Sequence, residues 1–163
     1  MAKKASAKKR GKKKTGKKAS KKGGKKSPAK KKAGSLKPKK VTTGKGASPA
    51  DLGKALVEHC RAHGDDAALW KKHYSRNFTS TEGIGMRWEG VKAVTAKNAE
   101  WMATHKIHGG SVEGPFVGAT GFAVRFTMDV EDLTNGQRMQ FDEVGVYTVK
   151  GGKIIAEEFM YGG

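Results

Sequence analysis

The stretch FDEVGVYTVKGGKIIAEEFMY, Phe141 to Tyr161, decides the fold. Apolar residues alternate on both sides of Gly151-Gly152, and two glycines in sequence suit a hairpin turn that needs positive φ twice. The stretch therefore predicts two antiparallel strands. Upstream, Phe122 to Glu131 alternates strictly and Asn135-Gly136 is a two-residue turn signal, so the same strand pattern extends toward the N-terminus. Pairing across Asn135-Gly136 sets Val130 opposite Phe141 and Met128 opposite Glu143. Pairing across Gly151-Gly152 sets Gly145 opposite Glu158 and Glu143 opposite Met160.

This register predicts one face built from Phe122, Val124, Phe126, Met128, Val130, Phe141, Gly145, Tyr147, Val149, Ile154, Ala156 and Met160, interrupted by Glu143 and Glu158. The two glutamates become diagonal neighbours roughly 5–8 Å apart. Carboxylates on a covered face must line a polar cavity, share a proton or meet a cation. A β-bulge in either strand would change this register. The other face mixes Arg125, Asp129, Glu131 and Asp142 with Val144, Val146, Ile155, Phe159 and Tyr161.

Before the strands, the pattern is helical. Ser48 as cap, Pro49 in the first turn and Asp51 at the capping-box position start a helix that carries Leu52, Leu56 and Cys60 and that Gly64 can end. A second helix begins at Asp65 or Asp66 and carries Leu69, Trp70, His73 and Tyr74, followed by a short extended stretch around Phe78. A third runs from about Gly90 to His105, with Val91, Val94, Asn98, Trp101 and His105 on one side. Helices first and a meander afterwards predict an α+β domain with the helices on one face of a curved antiparallel sheet.

The charge balance divides the chain. Of 34 Lys and Arg, 21 fall in residues 1–46 together with none of the 15 Asp and Glu, leaving 13 basic against 15 acidic residues for the remainder. Residues 1–46 are nearly all Lys, Ala, Gly, Ser and Thr, and cannot bury enough surface to offset an ordering cost of about 1–2 kcal/mol per residue. The expectation is a disordered polybasic tail over 1–46 and one folded domain over 47–163. The tail has no apolar core of a signal peptide, and no run approaches the roughly 18 apolar residues of a membrane span, which predicts an intracellular chain in the nucleoid, cytoplasm or nucleus. Cys60 is the single cysteine, so no intrachain disulfide forms.

Lys8, Lys9, Arg10, Lys12, Lys13, Lys14, Lys30, Lys31 and Lys32 are the candidate nucleic-acid contacts. Closely spaced ammonium groups on a flexible chain displace counterions from a polyanion, without sequence preference and with steep salt dependence. No aromatic is interleaved among them for base stacking. The run KKSPAKKKAG, Lys25 to Gly34, resembles linker-histone and bacterial histone-like tails, and Ser27-Pro28 is a candidate phosphorylation site. Gly11 to Lys18, GKKKTGKK, nearly matches a phosphate-binding loop but lacks the Ser or Thr that would hold magnesium. His59 and His63 have ligand spacing on a helix without a third ligand, so neither a metal nor any other cofactor is expected.

WKKHYSRNFTSTEGIGMRWEGVKAV, Trp70 to Val94, and above all GQRMQFDEVGVYTVKGGKIIAEEF, Gly136 to Phe159, resemble the SnoaL-like polyketide cyclases of the nuclear transport factor two superfamily. The resemblance covers about residues 50–161. It implies a cone-shaped sheet around a pocket, no metal, and a homodimer through the outer sheet face. It also implies proton abstraction beside a carbonyl by an aspartate of the penultimate strand, and that position is Gly145 here. Glu143, Glu158 and Tyr147 are the candidate catalytic residues in its place, with Glu143 the base. Tyr74, Trp88, Trp101, His105, His108, Phe116, Phe126 and Met128 are the candidate pocket residues. The alternative for the glutamates is a structural bridge to Arg125, Arg138 or Arg87. Three functions fit: a small-molecule-binding domain with isomerase or cyclase chemistry carried to nucleic acid by the tail, a non-enzymatic nucleic-acid accessory whose dimer presents two tails, and a protein-interaction scaffold.

Overall fold

A computed structural model describes residues 46–162; the nucleic-acid residues, Ser27 and the other readings on the tail lie outside the described residues. Three helices and six strands follow in the order α1 Pro49–Arg61, α2 Asp66–His73, β1 Tyr74–Thr81, β2 Arg87–Glu89, α3 Gly90–Thr104, β3 His105–Val117, β4 Gly121–Asp132, β5 Gln137–Lys150 and β6 Lys153–Tyr161. The strands form one open sheet in the order β2-β1-β6-β5-β4-β3, so the domain is α+β as expected.

α1 starts as its sequence dictates. Ser48 Oγ accepts from the Asp51 amide and Asp51 reaches back to the Ser48 amide, a complete capping box, with Pro49 in the first turn. Its end differs from expectation: the helix stops at Arg61, and His63, not Gly64, takes the positive φ of 49°. Leu52, Leu56 and Val57 of α1, Leu69 and Trp70 of α2 and Val94 of α3 bury against Tyr74, Phe78, Phe122, Val124, Tyr147 and Ile154 of the sheet.

Four further expectations are corrected. The sheet is mixed, because β1 runs parallel to β6 while every other pairing is antiparallel. β1 and β6 are separated by β2, α3 and three more strands, and a connection of that length permits the parallel pairing that a tight turn forbids. His108, expected beside His105 at the end of the third helix, lies within β3, because α3 stops at Thr104 with His105 as its C-cap and passes directly into that strand.

The β4–β5 turn is not the two-residue Asn135-Gly136 loop. Asp132 pairs with Gln137, and the Asp132 carboxylate accepts from the Thr134 amide at 2.8 Å and from Asn135 Nδ2 at 2.8 Å, organising a four-residue loop with positive φ at Gly136 alone. Val130 thus pairs with Met139 and Phe126 with Glu143. The slip is two residues, so every side chain keeps its expected face.

The β5–β6 hairpin carries the change that matters most. Gly151 and Gly152 make the turn with φ of 59° and 75°, and Val149 pairs with Ile154 as expected. The register then shifts by one, Thr148 pairing with Ala156, so Ile155 is a bulge. Everything beyond it changes sides. Glu157, Phe159 and Tyr161 point inward opposite Tyr147, Gly145 and Glu143, whereas Glu158 and Met160 turn outward and are exposed.

Candidate functional site

The inner face of β5 presents Glu143, Gly145 and Tyr147 in succession, and β6 answers with Tyr161, Phe159 and Glu157. Glu143 and Glu157 are therefore four positions apart along β5, on the order of 13 Å of extended strand, and the expected diagonal pair of Glu143 with Glu158 does not form, because Glu158 faces the other side. The space between them belongs to Lys97. Its ammonium donates to Glu82 Oε1 at 2.5 Å and to Ser80 Oγ at 3.3 Å, and lies 5.4 Å from the ring centres of both Trp88 and Phe159. Glu82 follows β1 directly, Ser80 is fully buried on β1, and Lys97 stands one turn after buried Val94 on α3.

Glu157 is the deeply buried member, 6% exposed. Tyr74 donates to its Oε2 at 3.1 Å. Burial raises its carboxyl to about 6, while Ser80, Lys97 and Tyr74 draw it back toward the ionised form and Glu82 opposes them. Glu143 is half-buried. Burial first, then the Glu82 charge, lifts its carboxyl to about 7, with Lys97 acting against them and Glu157 with them. Tyr74 and Tyr147, wholly enclosed, are held protonated by burial and by the Glu157 charge. The result is an interior with three carboxylates, one ammonium and two buried phenols, in which Glu143 exchanges its proton near neutral pH.

The sequence-derived candidates separate. Glu143, Tyr147, Tyr74 and Trp88 come together around Lys97 and Glu157. Phe126 stands opposite Glu143 and Met128 opposite Phe141, continuing the same face. Trp101 and His105 stack on each other at 4.6 Å at the end of α3. His108 turns to Glu131 on the outer face at 2.5 Å, and Phe116, 59% exposed, pairs beside Ala123 on that same side, so neither joins the interior. Glu158 is turned away by the bulge.

Arg125 and Arg138 do not bridge to the inward glutamates. Arg125 binds Asp142 in a two-pronged contact at 3.0 and 2.6 Å, and Arg138 binds Asp129 at 2.7 and 2.6 Å, all on the outer face. An open depression lined by Gly109, Gly110, Ser111, Thr127, Asp129 and Gln140 also belongs to that side, away from every member of the cluster. Of the two histidines with ligand spacing, His63 falls beyond the end of α1 and His59 Nε2 contacts Asp66 at 2.9 Å.

Sequence reasoning missed Glu157, Glu82, Ser80 and Lys97. The bulge hid the first. Lys97 shares one side of α3 with Val94 and Trp101, but a helical lysine carries no local mark of burial until the carboxylates around it are placed.

An open mixed sheet whose acidic inner face is covered by three helices defines an α+β domain with an internal polar site. The chain belongs to the SnoaL-like domain family, whose model matches residues 68–161. Among solved structures it is similar to a protein of Mesorhizobium loti named both as a SnoaL-like polyketide cyclase and as a carbohydrate phosphatase, with 38% identity, 69% of this chain and 97% of that one covered, and a TM-score of 0.64. A protein of Pseudomonas putida named as a polyketide cyclase (18% identity, 72% and 93% covered, TM-score 0.56) shares the fold. So does a nuclear transport factor two-like protein of Burkholderia thailandensis (12% identity, 71% and 91% covered, TM-score 0.62). No curated protein matches this chain. No helix among the described residues is long and apolar enough to cross a membrane.

Proposed function

We propose that the domain binds a small carbonyl compound against its inner sheet face and moves a proton beside the carbonyl, with Glu143 as the base. The observation that carries this reading is the Glu143 carboxyl, which burial and the Glu82 charge raise to about 7. A base poised near the working pH combines adequate ionisation with adequate strength. Membership of the SnoaL-like family supports a small-molecule ligand, and the cyclase name of the Mesorhizobium loti relative supports carbonyl chemistry. Glu143 takes the proton from carbon as the C–H electrons move toward the carbonyl oxygen, and returns it to another carbon or to the same one.

Deuterium wash-in measured by NMR on a panel of ketones and 1,3-dicarbonyls, between pH 5 and 9, tests the assignment. The full chain should accelerate exchange in at least one class, with a rate that climbs through pH 7. Glu143→Gln should abolish the acceleration and Glu158→Gln should leave it. No acceleration anywhere in the panel, or acceleration that survives Glu143→Gln, defeats the reading.

A second reading concerns the tail, and the density of 21 basic residues without one acid over residues 1–46 favours it. The tail holds the domain on nucleic acid, and a homodimer would present two tails and gain avidity. Affinity for duplex DNA should fall steeply between 50 and 200 mM salt, roughly as a power law in salt concentration. Replacing Lys12, Lys13, Lys14, Lys30, Lys31 and Lys32 by Gln should flatten that slope. A slope unchanged by the six substitutions would exclude these lysines.

A further inference from the structure

Phe159 stands opposite Gly145, midway along β5 between Glu143 and Tyr147, and Tyr147 is the partner of Glu157. The Lys97 ammonium over the Phe159 ring therefore occupies the middle of a column with a carboxylate toward each end. Its hydrogen bonds go to neither of them, but to Glu82 and Ser80. Glu82 and Lys97 are each well covered, their side chains 21% and 15% exposed, so the charge is only partly screened by water.

We propose that Lys97 is the positioning residue of this site: anchored by Glu82, it sets the pH at which Glu143 gives up its proton, and the Glu82–Lys97 pair is the tuning element. The inference rests on reading Glu143 as the proton-transfer group. The groups facing Glu143 are Tyr161 and Glu157 from β6, Glu82 from the end of β1, Lys97 from α3, Tyr147 from its own strand, and apolar Phe126 from β4. Lys97 is the principal cation acting on both Glu143 and Glu157, and it opposes burial in each. Without it, three carboxylates share one interior with no counter-charge, and Glu143 stays protonated through neutral pH. Without the Glu82 charge the balance tips the other way, because Lys97 then acts on the two remaining carboxylates alone.

The test is a carbon-13 carboxyl titration of the full chain, labelled at glutamate, from pH 4 to 9. Lys97→Met should raise the Glu143 midpoint by about one pH unit, a tenfold gain in proton affinity. Lys97→Arg should restore it, and Glu82→Gln should lower it. Glu82 sits at a strand end, so Glu82→Gln keeps the test open if Lys97→Met does not fold. A Glu143 midpoint that moves in neither variant overturns the proposal. So does a Lys97→Arg protein that shifts as far as Lys97→Met, since repacking and not charge would then be the cause. The titration needs no substrate: failed wash-in with a shifted midpoint would defeat the function and keep the tuning role, and the reverse pattern would do the opposite.

Discussion

The Tyr147 ring lies across Gly145: a Cβ built on that glycine would come within 2.8 Å of the phenol oxygen and 2.9 Å of the ring edge. Tyr147 cannot yield cheaply, being stacked on Phe122 at 4.8 Å and set edge-on to Phe159 at 6.4 Å. Any side chain at Gly145, the position expected from the family resemblance to hold an aspartate, is thus blocked by a phenol two residues further along the same strand. Gly145→Asp should cost about 3 kcal/mol in urea unfolding, from overpacking and an added buried carboxylate. Adding Tyr147→Ala to Gly145→Asp should relieve the collision, so the pair should cost less than the sum of the singles.

Glu143 holds its proton more tightly folded than unfolded, its carboxyl standing at about 7 against an ordinary 4.5. The stability this contributes is fully present below pH 4.5 and is lost as pH rises through 7. Glu143→Gln lacks that dependence. Relative to the parent it should gain about 2–3 kcal/mol between pH 4.5 and pH 8, read as a denaturation midpoint difference that grows with pH.

Adjacent glutamates on β6 should behave as opposites. Glu158→Ala removes an exposed side chain and should change stability by less than about 0.5 kcal/mol. Glu157→Ala leaves the buried Tyr74 hydroxyl without its acceptor and should cost about 2 kcal/mol at pH 7. If the two substitutions cost the same, the Ile155 bulge is misplaced.

The outer-face arginines contribute little to folding despite their geometry. Arg125 and Asp142 are about half exposed, at 44% and 53%. Arg125→Ala should leave the urea denaturation midpoint almost where it is, and 0.5 M salt should shrink any difference further.

The helices and the order of elements were legible because their signals are local. Ser48, Pro49 and Asp51 specify the start of α1 within four residues, and alternation specifies β4 and β5. The β4–β5 register was missed because Asp132 captures the loop with its side chain, a competition that the Asn135-Gly136 signal does not reveal. Its two-residue slip left each side chain on its expected face, so Glu143 was still read correctly as inward-facing. The Ile155 bulge shifts by an odd number and exchanged Glu157 for Glu158. β1 was invisible as a partner of β6 because parallel pairing leaves no turn signature, and Ser80 and Glu82 were lost with it. Lys97 carried a helical signal but looks like any solvated lysine until the carboxylates around it are placed.

The parallel contact of β1 with β6 joins Ser80 to Glu157 and Thr81 to Glu158 across more than seventy intervening residues. Closing so long a loop is entropically slow, and the sheet gains nothing from β1 until β6 arrives. The interior around Lys97 is therefore the last part of the domain to close: a nascent chain can hold its α1 cap and its β4–β5 hairpin, but Glu157 reaches Tyr74 and the Ser80 strand only in the step that finishes the fold.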